Sequence, residues 1–138
     1  MSDCIFCKII NGEIPADKVY EDEKIIAFLD ISPINKGHVL VVPKEHFENL
    51  LETPDELISK IMIIAKRLGL AIKKATDAEG INIGINNGAG AGQVVFHTHI
   101  HVIPRFINDG YKLWGSNKKY ELGEGDGLAQ KIREQLSN

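Results

Sequence analysis

The sequence lacks an excess of basic residues, a long apolar run and a rich supply of cysteine. Its 16 Lys and Arg are outnumbered by 19 Asp and Glu, and the formal net charge is -3. A general binder of nucleic-acid backbones needs clustered positive charge, so we expect no nucleic-acid partner. The longest apolar runs, such as residues 61–65, are too short to span a bilayer, and we expect no membrane partner.

The amino terminus lacks the basic and apolar segments of a secretory signal, which predicts a cytoplasmic protein. The 138 residues are 43% apolar and 25% charged, typical of a globular chain with its own core. We therefore expect a single domain over residues 1–138. The two cysteines, Cys4 and Cys7, form a C-x-x-C pair. In a reducing compartment this spacing favours metal ligands or redox thiols over a structural disulfide.

The hydrophobic pattern predicts short strands around one long helix. Strands are expected at residues 19–21, 24–29, 39–42, 81–85 and from Val94 onward, and short helices at 5–10 and 128–136. The long helix is expected to start at residues 53–56, where Thr53 would cap it and Glu56 would complete a capping box. We interpret its apolar stripe over 57–68 as core or dimer packing.

Three of the five histidines stand at alternate positions of one segment: His97, His99 and His101. Alternate residues of a strand face the same side, so a strand here would align the three imidazoles. Packing alone is one interpretation. A single zinc ion held by all three is unfavourable, because the outer two would lie about 13 Å apart at Cα. The third interpretation is an active site in which one neutral imidazole attacks phosphorus and its neighbours orient it or bind phosphate oxygens.

A glycine-rich segment at residues 86–93 lies just upstream of these histidines. Its glycines would let backbone N–H groups approach an anion closely. The segment lacks the Gly-Lys-Ser/Thr ending of a P-loop and the spacing of a dinucleotide fingerprint. A flexible hairpin loop is the alternative, and the nearby histidines favour the phosphate-binding role.

The motif His-x-His-x-His followed by two apolar residues resembles that of the histidine triad (HIT) family. Other stretches are similar to its Hint-like nucleoside phosphoramidase branch, in the zinc-binding bacterial form; they lie at residues 4–10, 14–16, 19–22, 30–33 and 37–44. The resemblance covers about residues 4–105 and leaves a tail at 106–138. It implies an α+β fold, namely a five-stranded antiparallel sheet with one long helix and a short terminal helix, assembled as a homodimer.

The resemblance also implies roles for individual residues. His99 matches the nucleophile, which would form a covalent nucleotidyl-histidine intermediate, and His101 matches the histidine that binds a phosphate oxygen or assists the leaving group. We interpret His38 as an orienting partner, and Asp30 matches the acidic residue that binds ribose hydroxyls. The other positions expected to contact substrate are Phe28, Leu29, Ile31, Leu40, Asn86, Gly92, Gln93 and Val94.

Family members with a C-x-x-C at this position bind a structural Zn²⁺. The implied ligands here are Cys4, Cys7, His46 and His97, a closed Cys₂His₂ set. The spacing in the sequence alone supports only the cysteine half, and a redox pair is the rival interpretation. In the tail, Trp114 is expected either near the site of a partner subunit or buried in the tail itself.

These residues and the resemblance together predict a hydrolase or transferase that cleaves a nucleoside 5′-monophosphate from a leaving group. The resemblance implies a purine nucleotide, AMP or GMP, and a preference for a P–N bond. One alternative is a hydrolase of dinucleoside polyphosphates. Another is a zinc-stabilised dimer that binds nucleotides without turnover, and a third is a thiol oxidoreductase built on Cys4 and Cys7. The intact triad argues against binding alone, because binding does not require a nucleophile.

Overall fold

The computed structural model describes residues 3–112, 115 and 117–136, so Trp114 lies outside the described residues. Within these residues, five strands form one antiparallel sheet with the order β1-β2-β3-β5-β4. The strands are β1 (Lys18–Glu21), β2 (Ile25–Leu29), β3 (Val39–Pro43), β4 (Gly80–Gly84) and β5 (Ile100–Arg105). The α-helices of the same residues are α1 (Ile5–Ile10), α2 (Asp55–Thr76) and α3 (Glu124–Leu136). The expected α+β fold is confirmed.

The central strands are apolar on both faces because a helix covers each face. Ala27 of β2 pairs with Val41 of β3, and both belong to the core that α2 completes. The next pair along the ladder, Phe28 and Leu40, lies on the opposite face, in the core that α1 completes. His101 of β5 pairs with Leu40, which places it on the α1 side of the sheet.

The long helix α2 packs on the sheet through one stripe of residues. Its buried positions lie on one face of the helix and are Ile61, Ile64, Ala65, Gly69 and Ile72. This confirms a core role for part of the expected stripe. Met62, in contrast, is 47% exposed and does not join the core.

The predicted capping box at the start of α2 is wrong. Pro54 precedes the first helical residue, and among the described residues no side chain caps the free amides there. Thr53 is buried, and its hydroxyl donates to the Asn49 carbonyl at 2.8 Å and lies 2.9 Å from the Thr98 hydroxyl. The Thr53 side chain therefore makes a tertiary contact with Thr98 and does not form the helix cap that the local pattern predicts.

The strand expected from Val94 begins only at Ile100. The Thr98 N–H donates to the Phe47 carbonyl at 2.8 Å, so the backbone before β5 bonds to the segment that follows β3. This bond interrupts the ladder. The three histidines consequently do not form one uniform row, because only His101 lies within the strand.

The terminal helix α3 lies apart from the core. It begins at Glu124, earlier than the expected start at 128, and Leu128, Ile132 and Leu136 are all exposed. Across the described residues, no helix has both the length and the apolarity that a bilayer crossing requires.

Candidate active site and metal centre

A cavity of about 400 Å³ opens on the sheet face opposite α2. Its polar lining consists of Asp30, Ser32, Asn86, His99 and His101. The remaining lining is apolar or glycine: Ile5, Phe6, Ile9, Ile14, Pro15, Ala16, Phe28, Leu29, Ile31, Leu40, Gly92, Val94 and Val95. A few polar groups beside an apolar wall are typical of a small-molecule site.

The structure brings most of the expected substrate-contacting residues to this cavity. Those that line it are Phe28, Leu29, Asp30, Ile31, Leu40, Asn86, Gly92, Val94, His99 and His101. Gln93 is the exception. Its buried amide donates to the Glu48 and Val95 carbonyls, and its Oε1 accepts the Gly88 N–H. The Gln93 side chain therefore supports the glycine-rich loop instead of facing the cavity.

The cavity wall that α1 contributes is not among the site residues expected from the sequence. Ile5, Phe6 and Ile9 line the cavity, and so do Pro15 and Ala16 beyond the helix. The sequence predicts a short helix at residues 5–10, and the resemblance implies that Cys7 binds metal, but neither assigns a residue of this helix to the substrate. The spacing of Ile5 and Ile9, one turn apart, is the signal that one apolar face of α1 covers a neighbouring surface.

His99 presents an unprotonated nitrogen to the cavity. Its Nδ1–H donates to the His97 carbonyl at 2.7 Å, and a carbonyl oxygen only accepts. The neutral ring therefore has its lone pair on Nε2. Burial lowers the pKa of His99 below the usual 6.5, which keeps the ring neutral near pH 7. The Phe6 ring packs edge-on against it, with centroids 5.0 Å apart.

In contrast to His99, His101 has its proton on Nε2, and a chain of hydrogen bonds places it there. The Ile34 N–H donates to His38 Nδ1 at 3.1 Å, so the proton of a neutral His38 lies on Nε2. His38 Nε2–H then donates to His101 Nδ1 at 2.9 Å, which leaves the His101 proton on Nε2. Burial, followed by the nearby His99 and His38 rings, lowers the pKa of His101 to about 4. His101 therefore faces the cavity as a neutral hydrogen-bond donor.

Asp30 lies at the polar end of the cavity. Its Oδ1 accepts the Ser32 N–H at 2.8 Å, and its Oδ2 lies 3.7 Å from His38 Nε2. Donor atoms of Asp30, His38 and His101 lie within 4.8 Å of one another. Because His38 Nε2 carries a proton, this group is better described as a hydrogen-bonded chain than as a set of metal ligands.

A second cluster lies at the start of α1. The sulfur atoms of Cys4 and Cys7 and the ring nitrogens of His46 and His97 all lie within 4.8 Å of one another. Cys4 Sγ lies 3.4 Å from His97 Nδ1, Cys7 Sγ lies 3.4 Å from His46 Nδ1, and the two nitrogens are 3.0 Å apart. The edges of a Zn²⁺ tetrahedron with ordinary bond lengths measure about 3.3–3.8 Å. The two sulfur–nitrogen distances fall in this range and the nitrogen–nitrogen distance is slightly shorter, so the four donors are close enough together to hold one metal ion.

The protonation of these groups also fits a cation. His97 Nε2–H donates to the Pro43 carbonyl at 2.7 Å, which leaves the lone pair of Nδ1 directed at the cluster. Burial and the neighbouring Cys4 thiol raise the pKa of Cys7 to about 11. Because two imidazoles lie beside the cysteines, the group fits a set of metal ligands better than a redox pair. A bound metal ion would replace the thiol protons with its own charge.

The fold and the paired imidazoles define a histidine-based small-molecule site on an antiparallel sheet. Residues 11–108 match the model of the HIT domain. The chain belongs to the HIT, or histidine triad, family, whose members in general bind and hydrolyse nucleotides. It is 47% identical over 115 residues to the adenylylsulfatase HINT3 of Arabidopsis thaliana. The aligned region covers 83% of this chain and 57% of that protein.

Two solved structures are similar to nearly the whole chain. SMU.412c from Streptococcus mutans UA159 has a TM-score of 0.93 and 43% identity, covering 99% of this chain and 87% of that one. A Zn-bound histidine triad family protein from Mycobacterium smegmatis has a TM-score of 0.77 and 36% identity, covering 99% of this chain and 96% of that one. These likenesses agree with the family assignment.

Proposed function

We propose that this protein is a nucleotide hydrolase or transferase that cleaves a purine nucleoside 5′-monophosphate from a leaving group through a covalent intermediate on His99. The observation that carries the proposal is the pairing of His99 and His101, whose ring centroids are 5.0 Å apart beside one cavity. One ring offers a lone pair and the other a proton. A phosphoryl group placed between them would meet a nucleophile and a hydrogen-bond donor.

The first chemical step forms a bond between His99 Nε2 and phosphorus, while the bond from phosphorus to the leaving group breaks. His101 Nε2–H donates to a phosphate oxygen or to the leaving atom, where negative charge develops. The attack leaves the His99 ring positively charged. The His97 carbonyl, 2.7 Å from His99 Nδ1, stabilises that charge. Water then displaces the ring nitrogen from phosphorus, which releases the nucleoside monophosphate with the water oxygen and restores neutral His99. The proton that this water gives up to the solvent balances the proton that the leaving group takes from the solvent when it departs.

The lining of the cavity supports a nucleoside as the retained part of the substrate. In this proposal the Asp30 carboxylate accepts hydrogen bonds from ribose hydroxyls at the polar end. The apolar wall formed by α1 and by Phe28 covers the base, and a flat purine suits such a wall. We expect AMP and GMP as products.

We further propose that Cys4, Cys7, His46 and His97 hold a structural Zn²⁺. Four protein donors fill a tetrahedral site and leave no position open for substrate. The Zn-bound Mycobacterium smegmatis relative supports this choice of metal. When bound, the ion supplies the positive charge that keeps the two thiols deprotonated. A reducing compartment such as the cytoplasm would keep these thiols available as ligands.

The unit of function that we propose is a homodimer of single-domain chains. β4 is an edge strand, and Ile83 on it is 43% exposed. On the neighbouring helix α2, Met62, Ile63 and Leu70 are 47%, 59% and 58% exposed. An unpaired strand edge beside exposed apolar side chains is typical of a surface that another chain covers.

The preferred leaving group is tested by comparing turnover of three substrate types. We expect adenosine 5′-phosphoramidate to be cleaved faster than a diadenosine polyphosphate, because the chain resembles the phosphoramidase branch. Adenylyl sulfate belongs in the comparison, because the Arabidopsis relative is named an adenylylsulfatase. Faster cleavage of the diadenosine polyphosphate would contradict the P–N preference.

The covalent step is tested by mass spectrometry after an acid-free quench. The wild-type protein should carry one nucleotidyl group on the peptide that contains His99. His99→Ala should give no adduct and should lose at least about 10³-fold in kcat/KM, because both the nucleophile and its orientation are lost. AMP binding by His99→Ala serves as the control for an intact cavity. If the wild-type protein binds AMP but shows neither adduct nor turnover, the nucleotide-binding dimer is the better description.

A further inference from the structure

A cluster of charged and polar groups after β5 lies outside both the cavity and the metal centre. Arg105 donates from Nε and Nη2 to the two carboxylate oxygens of Asp109, each at 2.7 Å. Arg105 Nη1 donates to Asn82 Oδ1 at 2.6 Å. The Arg105 guanidinium, with the N–H groups of Phe106 and Tyr111, holds the pKa of Asp109 far below its usual range. The Asp109 carboxylate is therefore a firmly held negative group.

Asn35 connects this cluster to the loop before β3. Its Nδ2 group donates to Asp109 Oδ2 at 3.0 Å and to the Pro104 carbonyl at 2.9 Å. The Asn35 carbonyl accepts the His38 N–H at 3.0 Å. The preceding residue, Ile34, donates its N–H to His38 Nδ1. Asn35 thus holds the short piece of backbone that contacts His38 at two points.

We propose that Asn35 is a positioning residue that, held by Asp109, keeps the Ile34 N–H directed at His38 Nδ1 and so sets which nitrogen of His38 carries the proton. The kinetic part of this inference rests on the proposed function. The tautomer of His38 is a property of the resting protein and does not depend on any activity.

The tautomer matters because it sets the polarity of the next ring. If the Ile34 N–H moves away, the proton of His38 can move to Nδ1, and Nε2 becomes an acceptor. His101 then donates from Nδ1, which leaves a lone pair on the Nε2 that faces the cavity. A lone pair repels phosphate oxygens, whereas an N–H binds them. A displaced loop would therefore slow phosphoryl transfer while the nucleoside wall stays intact.

The test is a histidine-tautomer measurement on the protein as purified, carrying ¹⁵N-labelled histidine. Two-bond ¹H–¹⁵N correlation spectra near pH 7 distinguish a protonated from an unprotonated ring nitrogen. In the wild type, His38 Nδ1 and His101 Nδ1 should be unprotonated. In Asn35→Ala, the Nδ1 signals of both rings should shift toward the protonated position. We also expect kcat for a nucleotide substrate to fall roughly tenfold or more, with KM changed less.

Asn82→Ala is the matched control. It removes one contact of Arg105 but leaves the contact between Asn35 and Asp109, so the tautomers and kcat should stay as in the wild type. Asp109→Asn is the second variant, used if Asn35→Ala does not fold, and it should shift the same signals. Unchanged tautomers in the folded variant, or an equal shift in Asn82→Ala, would overturn the inference. A tautomer shift in a protein that turns over no nucleotide would leave the inference standing and count against the proposed function.

Discussion

His101 lies between two other imidazoles and is largely withdrawn from water, and both conditions affect its proton affinity. Its pKa falls from the usual 6.5 to about 4, mainly through burial. Between these values the unfolded chain binds a proton at this ring and the folded protein does not. The free energy of unfolding must therefore rise with pH across the window and fall as the solution is acidified. We expect the urea concentration at the unfolding midpoint of the wild type to decrease when the pH is lowered from about 7 to about 5.

The matched variant for this prediction is His101→Asn, which keeps a polar side chain but cannot take up a proton. Its urea midpoint should fall less over the same pH range. All other ionisable side chains are the same in the two proteins, so the difference between the two curves reports the contribution of His101. Parallel curves would show that His101 does not have the low pKa assigned to it.

Gly37 illustrates how one residue fixes the loop that holds His38. Its φ of +103° lies in the region that favours glycine, and a Cβ there would come within 2.9 Å of Thr76 Cγ2 at the end of α2. Gly37→Ala should therefore destabilise the protein by about 2 kcal/mol in urea unfolding. Gly80→Ala is the control, because nothing lies within 4 Å of a Cβ there. A similar loss in both variants would contradict a specific role for Gly37.

Among the secondary-structure elements, α1 is the one that the proposed metal centre would stabilise most. It has only six residues, and a helix of that length is unstable by itself. Cys4 stands immediately before the helix and Cys7 lies within it, so a metal ion held by both would fix both ends of the first turn. Phe6 on the same turn packs against His99 and lines the cavity. The proposed metal centre and the proposed nucleotide site would therefore share one element.

Metal removal should consequently loosen α1 and weaken nucleotide binding together. We expect treatment with a chelator, or the variant Cys7→Ser, to speed amide hydrogen exchange over residues 5–10 and to raise the Kd for AMP several-fold. Exchange in the middle of α2 should change much less, because that helix is buried against the sheet at Ile61 and Ala65. Full protection of residues 5–10 in a metal-free sample would contradict the anchoring role.

For the assembled protein, the exposed apolar side chains of α2 and β4 predict a dimer that one charge can disrupt. Ile63→Glu should convert the dimer to a monomer in light scattering, because burying an unpaired carboxylate at an interface is strongly unfavourable. Ile132→Glu on α3 is the matched control, since Ile132 is 60% exposed and Ile63 is 59% exposed. The control should remain dimeric. A wild-type protein that is monomeric at every concentration would refute the proposed homodimer.

The local pattern of the sequence predicted most of the elements, because alternation and helical spacing are properties of neighbouring residues. The strands of the central sheet, the long helix and the terminal helix all lie near their expected positions. The pattern failed at Thr53 and at the segment before Ile100. In both places a residue distant in the sequence forms a hydrogen bond that the local pattern does not predict. Thr98 bonds to the Thr53 hydroxyl, and the Phe47 carbonyl accepts the Thr98 N–H.

The sequence by itself determined the chemical inventory of this protein: the three alternating histidines, the cysteine pair and the acidic residue that the family resemblance identifies. The family resemblance already implied that His97 belongs with the cysteines and that His99 and His101 serve the substrate. The tertiary structure brings His97 next to the cysteines and places His99 and His101 at the cavity. It also sets the protons of His97 and His38 through backbone groups from other segments, namely the Pro43 carbonyl and the Ile34 N–H. The His38 ring in turn sets the proton of His101. The physical reason is that either ring nitrogen of a neutral imidazole can carry the proton, so the partners of the ring across the fold determine which nitrogen donates and which accepts.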